Sequence, residues 1–416
     1  MSPLKQNAKV KNNAMSGPPA TNKCEGLKAF KESTPPPDKR LLGLDVLRFI
    51  AISLVVFRHL EGLECSPEAS SWCVWVQKIA DTLNCGGWVG VDIFFVLSGF
   101  LVSGLLFREW HQRKEISLGR FLVRRGLKIY PAFWFFLFSM LVLSIIQHRP
   151  IDKRGLLGEF LFLQNCWANL FNHTWSLAVE EHFYLLCAVG AWLLLRMRRT
   201  TGENPFKSIP FLFMLVAAIC LVTRLVSNHL FPPGRVRLLF FGTHIRVDSL
   251  FFGVLLSYLW HFYFTAKHHR VIYQFRWVLV FVGIGLLAPM FSAQPFDPRQ
   301  TWIRVYGFVL CYLAGGALLL GTLKIFEGAI SPLARLVGFL GANSYSVYLW
   351  HQLGISLAAM MLAQHTRTAS AWIAYCLLSH GMAWGTGIVA GRIVEVPVLK
   401  LRDRWFPSKT TRSLKN

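Results

Sequence analysis

The first apolar stretch of the chain, LLGLDVLRFIAISLVVFRHL, carries two polar side chains whose spacing could support chemistry. Arg48 and His59 are eleven residues apart. An α-helix completes a turn every ~3.6 residues, so both lie on one helix face, about 16 Å apart along the axis. An arginine in an apolar span needs an anion or a cavity, and a histidine exchanges a proton near neutral pH. The pair predicts an anion-binding group and a general base.

Both residues also have interpretations without chemistry. Asp45 lies three residues before Arg48 and is an available anion on the same helix. A histidine at the end of a membrane helix is often an interfacial residue. The groups that reach His59 decide between these interpretations.

An acid, Asp92, lies inside the apolar stretch GGWVGVDIFFVLSGFL, residues 86–101. A charged side chain at that depth costs at least ~2.5 kcal/mol and is functional by default. The first helix is predicted to run outward and end near His59, and the second to run inward from Gly86. Asp92 is therefore predicted to lie at a depth in the membrane similar to that of His59. A carboxylate hydrogen-bonded to imidazole fixes its tautomer, as a general base requires. The alternative is a tightly packed helix whose Asp92 caps the first turn.

A run of cations precedes the next apolar stretch, in RFLVRRGLKIYPAFW. Arg120, Arg124, Arg125 and Lys128 follow one another at spacings that place them along one helix face, leading into Pro131. A polyanion such as a nucleotide phosphate would suit such a face. Ordinary positive flanking of a membrane helix explains part of the same pattern.

Two adjacent acids, Glu180 and Glu181, follow the predicted start of a helix in NHTWSLAVEEHFYLL. Only one of them can share a face with Tyr184. Glu180 is predicted at the depth of His59, where it could orient the imidazole in place of Asp92.

Two further polar groups lie on later helices. Arg246 and Asp248, in RVDSLFFG, are predicted to pair with each other or with a glutamate. Tyr345, Tyr348 and His351, in NSYSVYLWH, form one stripe that fits a packing network as well as a catalytic role.

The composition indicates the elements that position these groups. Hydrophobic residues make up 54% of the chain and charged residues only 16%, where a soluble domain carries about a quarter. The net charge of +23 comes from Lys and Arg concentrated in alternate loops, which is the positive-inside pattern rather than a nucleic-acid surface. The sequence therefore predicts an all-α integral membrane protein.

We expect a bundle of about ten transmembrane helices with both termini in the cytoplasm. Residues 1–40 are predicted to be a disordered basic cytoplasmic tail without a signal peptide, 41–394 the membrane domain, and 395–416 a second basic tail. The predicted spans are 41–60, 88–107, 124–146, 174–195, 209–228, 240–262, 275–292, 303–323, 339–362 and 371–394.

The nine cysteines show no metal-ligand spacing, so no metal site is expected. Four lie in predicted outer segments, and at least one disulfide is expected to join two of them if that compartment is oxidising. These are Cys65, Cys73, Cys85 and Cys166.

Together these segments resemble the membrane acyltransferase family 3, the bacterial O-acyltransferases that modify O-antigen, peptidoglycan, exopolysaccharide and macrolides. The resemblance covers about residues 41–394. It rests on Arg48–x10–His59, GGWVGVDIFFVLSGFL, RRGLKIYP, TWSLAVEEHFY, RVDSLFFG and NSYSVYLWH, in that order.

The resemblance implies transfer of an acyl group, usually acetyl from acetyl-CoA, to a hydroxyl in the bacterial cytoplasmic (inner) membrane. The acceptor class would be a carbohydrate, a lipid-linked glycan or a small hydroxylated molecule. His59 is similar to the family's catalytic histidine, and Arg48, Arg124 and Arg125 to its donor-side arginines. Lys128 stands where the family usually has arginine, which keeps the charge but removes bidentate phosphate binding. Only about 20 residues follow the tenth predicted helix, so the esterase-like domain of some relatives is not expected.

Two other classes of function fit some of these residues. Intramembrane Arg, His, Asp and Glu also serve proton or anion transporters, but the chain has no inverted repeat and no paired broken helices of the transporter type. A scaffold subunit in envelope biosynthesis would not need the acids and the histidine. Release of free CoA that depends on the substrate would separate an acyltransferase from a transporter.

Overall fold

The structure is a computed structural model of the 416-residue chain. It describes residues 42–66, 70–197, 204–232, 235, 237–292, 300–323, 325, 331–362 and 368–407. Every regular element in this part of the chain is helical, which confirms the predicted all-α class. The predicted tail 1–40 lies outside these residues, as does the end of the second tail from residue 408.

The α-helices enclose a core of apolar side chains, with short 3-10 and π-helical turns between some of them. In chain order they are α1 (Leu42–Arg58), α2 (Ser71–Gly86), α3 (Val89–Arg113), α4 (Leu118–Ile146), α5 (Lys153–Phe160), α6 (Trp175–Met197), α7 (Ile209–Leu230), α8 (Val247–Tyr258), α9 (Ala266–Gln274), α10 (Arg276–Leu287), α11 (Phe308–Thr322), α12 (Pro332–Ala342), α13 (Ser344–Leu362), α14 (Ala369–Ala390) and α15 (Val396–Trp405).

Six helical segments in the described residues are long and apolar enough to cross a membrane. They are Val89–Arg113, Leu118–Ile146, Asn172–Met197, Ile209–Leu230, Ile303–Thr322 and Ala369–Trp405. The pair α9 and α10, bent by 63°, would make a seventh. The predicted span 339–362 is divided between α12 and α13, and α1 has only 17 residues. Helices occupy all ten predicted positions in the described residues, but neither the count of ten spans nor the cytoplasmic placement of both termini is confirmed.

Helix α3 lies at the centre of the bundle, where it packs against α1, α8 and α11. Its contact with α8 is made backbone to backbone. A Cβ atom on Gly99 would collide with the carbonyl group of Leu250, and one on Gly253 would lie 2.7 Å from the amide nitrogen of Phe100. Small residues at such crossings let membrane helices approach closely. The approach brings residues of α3 and α8 into direct contact.

Four helices, α2, α5, α9 and α15, lie in segments for which the sequence predicted none. Helix α2 fills much of the predicted outer loop 61–87, and α15 begins directly after the predicted last span. The predicted disulfide is present and joins Cys65 to Cys73, whose Cα atoms are 6.2 Å apart. It connects the segment after α1 to the first turn of α2.

Candidate active site

A cavity of about 560 Å³ opens between α1, α3, α4, α6 and the C-terminal helices. Four of the seven predicted site residues line it: Arg48, Arg125, Lys128 and Glu180. They come from three helices that are distant in the sequence, so the fold gathers the cations and one acid around a single space. Arg402 of α15 adds a cation that the sequence did not indicate.

The cations differ in how they are neutralised. Arg48 forms the expected ion pair with Asp45, Nη1 to Oδ1 2.9 Å, while still lining the cavity. Arg124 lines a smaller adjoining cavity of about 290 Å³ and pairs with Asp403 of α15 at 3.0 Å. Arg125 and Lys128 line both cavities, and neither has a carboxylate partner within 4.0 Å among the described residues. Their charges are therefore available to an anion.

Glu180 lies in a three-membered hydrogen-bond network at the cavity wall. Its Oε2 atom accepts from the Tyr184 hydroxyl at 2.6 Å and from Ser98 at 3.2 Å. The two hydroxyl oxygens are 2.8 Å apart. The neighbouring Glu181 accepts from the Tyr130 hydroxyl at 2.8 Å through Oε2. None of these groups is hydrogen-bonded to His59, so the predicted orientation of His59 by Glu180 is not present.

His59 directly follows the last residue of α1, as predicted, and packs beside two other histidines. The ring centroids of His59 and His351 are 5.0 Å apart, and those of His351 and His173 are also 5.0 Å apart. His351 and His173 are buried. His59 does not line the cavity.

Tyr348 connects this histidine cluster (His59, His351 and His173) to the cavity. Its ring lies 5.8 Å from that of His351, and it is one of the cavity-lining residues. The Tyr348 hydroxyl donates to the backbone carbonyl of His173 and lies 2.6 Å from the Ser176 hydroxyl. Tyr348 thus lies between the cavity that Glu180 lines and the histidine cluster.

Asp92 does not reach His59, which corrects the sequence-based prediction. Its Oδ2 atom pairs with Nη2 of Arg246 at 3.0 Å, and both side chains are fully buried. Asp248, expected to pair with Arg246 or a glutamate, pairs instead with Arg224 at 2.6 Å. Because α3 and α8 approach closely, the Asp92 side chain lies against Arg246, which directly precedes α8, and not against His59.

Besides Arg402, sequence reasoning missed His173 and Arg224. The sequence contains an indication of each. His173 directly precedes Thr174, where a helix is predicted to begin, and Arg224 is a charged residue within a predicted span. A buried charge in a span requires a partner, so Arg224 could have been matched to Asp248.

Glu159 of α5 holds the segment that carries His173. Its carboxylate is buried and accepts hydrogen bonds from the Thr174 hydroxyl at 2.8 Å and from the amides of Leu170 and Phe171 at 3.1 Å. Burial raises the pKa of Glu159 to about 7, although the hydrogen bonds act in the opposite direction.

The described residues contain no group of three or more His, Cys, Asp or Glu side chains placed to hold a metal ion.

The family of the chain follows from its similarity to known proteins. Residues 41–389 match a protein family described as an acyltransferase domain, which is most of the chain. The chain belongs to this acyltransferase family. Its apolar helices, together with its bacterial relatives, indicate a multi-pass membrane protein.

The acyltransferase is similar to two curated bacterial proteins. It is 28% identical over 386 residues to O-acetyltransferase OatA of Staphylococcus aureus (strain NCTC 8325 / PS 47), covering 86% of this chain and 57% of the relative. It is 26% identical over 396 residues to peptidoglycan O-acetyltransferase OatA of Listeria monocytogenes, covering 89% of this chain and 58% of the relative. The chain thus spans less than two thirds of these relatives. No solved structure matches it.

Proposed function

We propose that the protein is a membrane-embedded O-acyltransferase that moves an acetyl group from acetyl-CoA to a hydroxyl of a carbohydrate. It would lie in the bacterial cytoplasmic membrane with ten spans and with both termini in the cytoplasm. The observation that carries the proposal is the cavity, which combines unpaired cations at Arg125 and Lys128 with a wall that adjoins a histidine cluster. The names of both OatA relatives support acetyl as the group transferred.

Arg125 and Lys128, with Arg48 and Arg402 beside them, are the proposed site for the phosphates of CoA. Charge-assisted hydrogen bonds from arginine to phosphate are roughly twice as strong as neutral ones. Arg124 and Arg402 contribute less than Arg125 and Lys128 in this proposal, because both already pair with the carboxylate of Asp403. The pantetheine arm would extend past Glu180 toward Tyr348, which lines the cavity and whose ring lies 5.8 Å from that of His351.

His59 is the proposed general base. It would take the proton from the acceptor hydroxyl, whose oxygen attacks the thioester carbonyl carbon. When the tetrahedral intermediate collapses, the carbon–sulfur bond breaks and the CoA thiolate leaves with the proton from His59. For this the thioester must pass Tyr348, since His59 does not line the cavity.

The experiment is an assay of the purified protein in liposomes, with acetyl-CoA as the donor and soluble peptidoglycan fragments as the acceptor. Free CoA thiol and a mass increase of one acetyl group on the fragments are the readouts. His59→Gln keeps a hydrogen-bonding group but cannot take the proton, so the rate should fall by ~10²–10⁴-fold.

His380→Gln is the matched control, because His380 contacts Phe57 of α1 and donates to its own helix rather than to the histidine cluster. It should act at the wild-type rate. Wild-type protein that acetylates no fragment would refute the proposed acceptor class. Anion or proton flux across the liposomes without any CoA release would instead favour a transporter.

A further inference from the structure

The hydrogen bonds of the histidine cluster define which ring nitrogens carry protons. His351 Nδ1 lies 2.7 Å from the backbone carbonyl oxygen of Tyr348. A carbonyl oxygen can only accept, so Nδ1 of His351 carries the hydrogen. In the neutral imidazole this leaves Nε2 of His351 as an acceptor, and that atom lies 3.3 Å from Nδ1 of His59.

The same argument applies to His59. Its Nδ1 atom lies 2.8 Å from the carbonyl oxygen of Val55, so Nδ1 carries a hydrogen that is shared between Val55 and Nε2 of His351. The lone pair of neutral His59 is therefore on Nε2. A general base needs its free lone pair on one defined nitrogen.

We propose that His351 is a positioning residue for His59, in the role that the sequence predicted for Asp92. It accepts the Nδ1 hydrogen bond of His59, which orients the ring and keeps the lone pair on Nε2. It also stabilises the imidazolium that forms when His59 takes the acceptor proton, because that hydrogen bond strengthens when His59 is charged. This inference rests on the proposed function of His59.

The surroundings of His351 support this assignment. Its side chain is fully buried on α13, with the ring of His173 packed on it. His173 Nε2 lies 3.2 Å from the carbonyl oxygen of Leu349, so that nitrogen carries its hydrogen. Each of the three rings thus donates one N–H to a backbone carbonyl, and the His351 Nε2 acceptor points to His59.

The proton balance of the reaction does not change. The hydroxyl proton moves to Nε2 of His59 and from there to the departing CoA thiolate, while the Nδ1 proton of His59 stays in its hydrogen bond to Nε2 of His351. His351 neither gains nor loses a proton overall. Its loss should therefore lower the rate of transfer without weakening the binding of acetyl-CoA.

The test compares three variants in the liposome assay with acetyl-CoA and peptidoglycan fragments. His351→Phe retains a ring but removes the acceptor, and His351→Asn has an amide too short to reach His59. Both should lower kcat by about 10–100-fold, the value of a hydrogen bond to a charged group, with the KM for acetyl-CoA unchanged. His351→Gln places an amide oxygen near the position of Nε2 and should retain most of the wild-type kcat.

The control is His380→Phe, a ring exchange on α14 that should leave kcat unchanged. Equal losses in His351→Gln and His351→Phe, or a rise in the KM of either that matches its loss of kcat, would overturn the assignment and leave His351 a packing residue. Wild-type kcat in His351→Phe would also overturn it. Wild-type protein that releases no CoA would refute the proposed function itself, which is a distinct result.

Discussion

Asp92 and Arg246, 154 positions apart in the chain, form an ion pair between α3 and α8, with Oδ2 3.0 Å from Nη2. Both side chains are fully buried. The Arg246 guanidinium carbon lies 4.0 Å from the centroid of the Phe308 ring and 5.2 Å from that of Trp175, so aromatic faces complete its environment. The pair joins two central helices and does not contact the histidine cluster.

Because the pair is buried, loss of one partner should destabilise the protein strongly. Arg246→Ala would leave an unpaired charge at Asp92 and lower the free energy of unfolding by about 3–5 kcal/mol. Asp92→Asn should reduce thermal stability in detergent while each folded molecule keeps its transfer rate. A fully stable Asp92→Asn protein with no activity would instead return Asp92 to the catalytic role predicted from the sequence.

Arg125 and Arg124 are adjacent in the sequence but should differ in their effect on donor binding. Arg125→Ala removes an unpaired cation from the cavity and should weaken acetyl-CoA binding by about 10–100-fold, which corresponds to ~1.5–3 kcal/mol. Arg124→Ala should have a smaller effect, since Asp403 already pairs with Arg124. Dissociation constants measured by calorimetry would show the order. A larger effect at Arg124 would place the phosphates in the smaller cavity.

Glu180 allows a separation of hydrogen bonding from acid–base chemistry. Glu180→Ala removes the acceptor of both the Tyr184 and Ser98 hydroxyls and should raise the KM for acetyl-CoA by about 10-fold. Glu180→Gln keeps a carbonyl oxygen for these donors and should raise it little. If kcat falls equally in the two variants, the carboxylate itself takes part in the transfer.

Glu159 should make stability depend on pH. Its pKa is about 7 in the folded protein but near ~4.3 in an unfolded chain, so the folded state binds the extra proton between these values. Stability from this group is therefore present at low pH and is lost as the pH rises through 7, by an amount on the order of 3 kcal/mol. Melting temperatures of Glu159→Gln and wild type should diverge from pH 5 to pH 8, with the variant more stable at pH 8.

Glu64→Gln, at an exposed carboxylate, is the control for this effect and should follow the wild type. Parallel melting curves of Glu159→Gln and wild type across the range would show that Glu159 is ionised throughout.

The proposed ten-span topology predicts the side on which each loop lies. A reporter that is active only outside the cytoplasm should be inactive when fused after Arg113 and active when fused after Asp152. These positions follow α3 and precede α5, on opposite sides of α4. The reverse pattern would invert the bundle and place the cations of the cavity outside the cell.

Several features followed directly from local sequence. The spacing of Arg125 and Lys128 placed both on one helix face, and both line the cavity. The apolar stretch from residue 41 correctly placed His59 at the end of α1. The disulfide lies between two of the four predicted cysteines, Cys65 and Cys73. These features depend on helical periodicity and on proximity in the chain, and both can be determined from the order of residues alone.

The partners of the buried polar groups depended on the tertiary structure. The predicted depth of Asp92 was compatible with a hydrogen bond to His59. The close contact of α3 and α8 at their glycines instead places Asp92 against Arg246. The pairing of His59 with His351 joins residues 292 positions apart. Hydropathy also does not show where a helix bends, as between α9 and α10. Residue order therefore determined which groups could ionise and where most of the long apolar helices lie, whereas the crossing of the helices decided which of those groups meet.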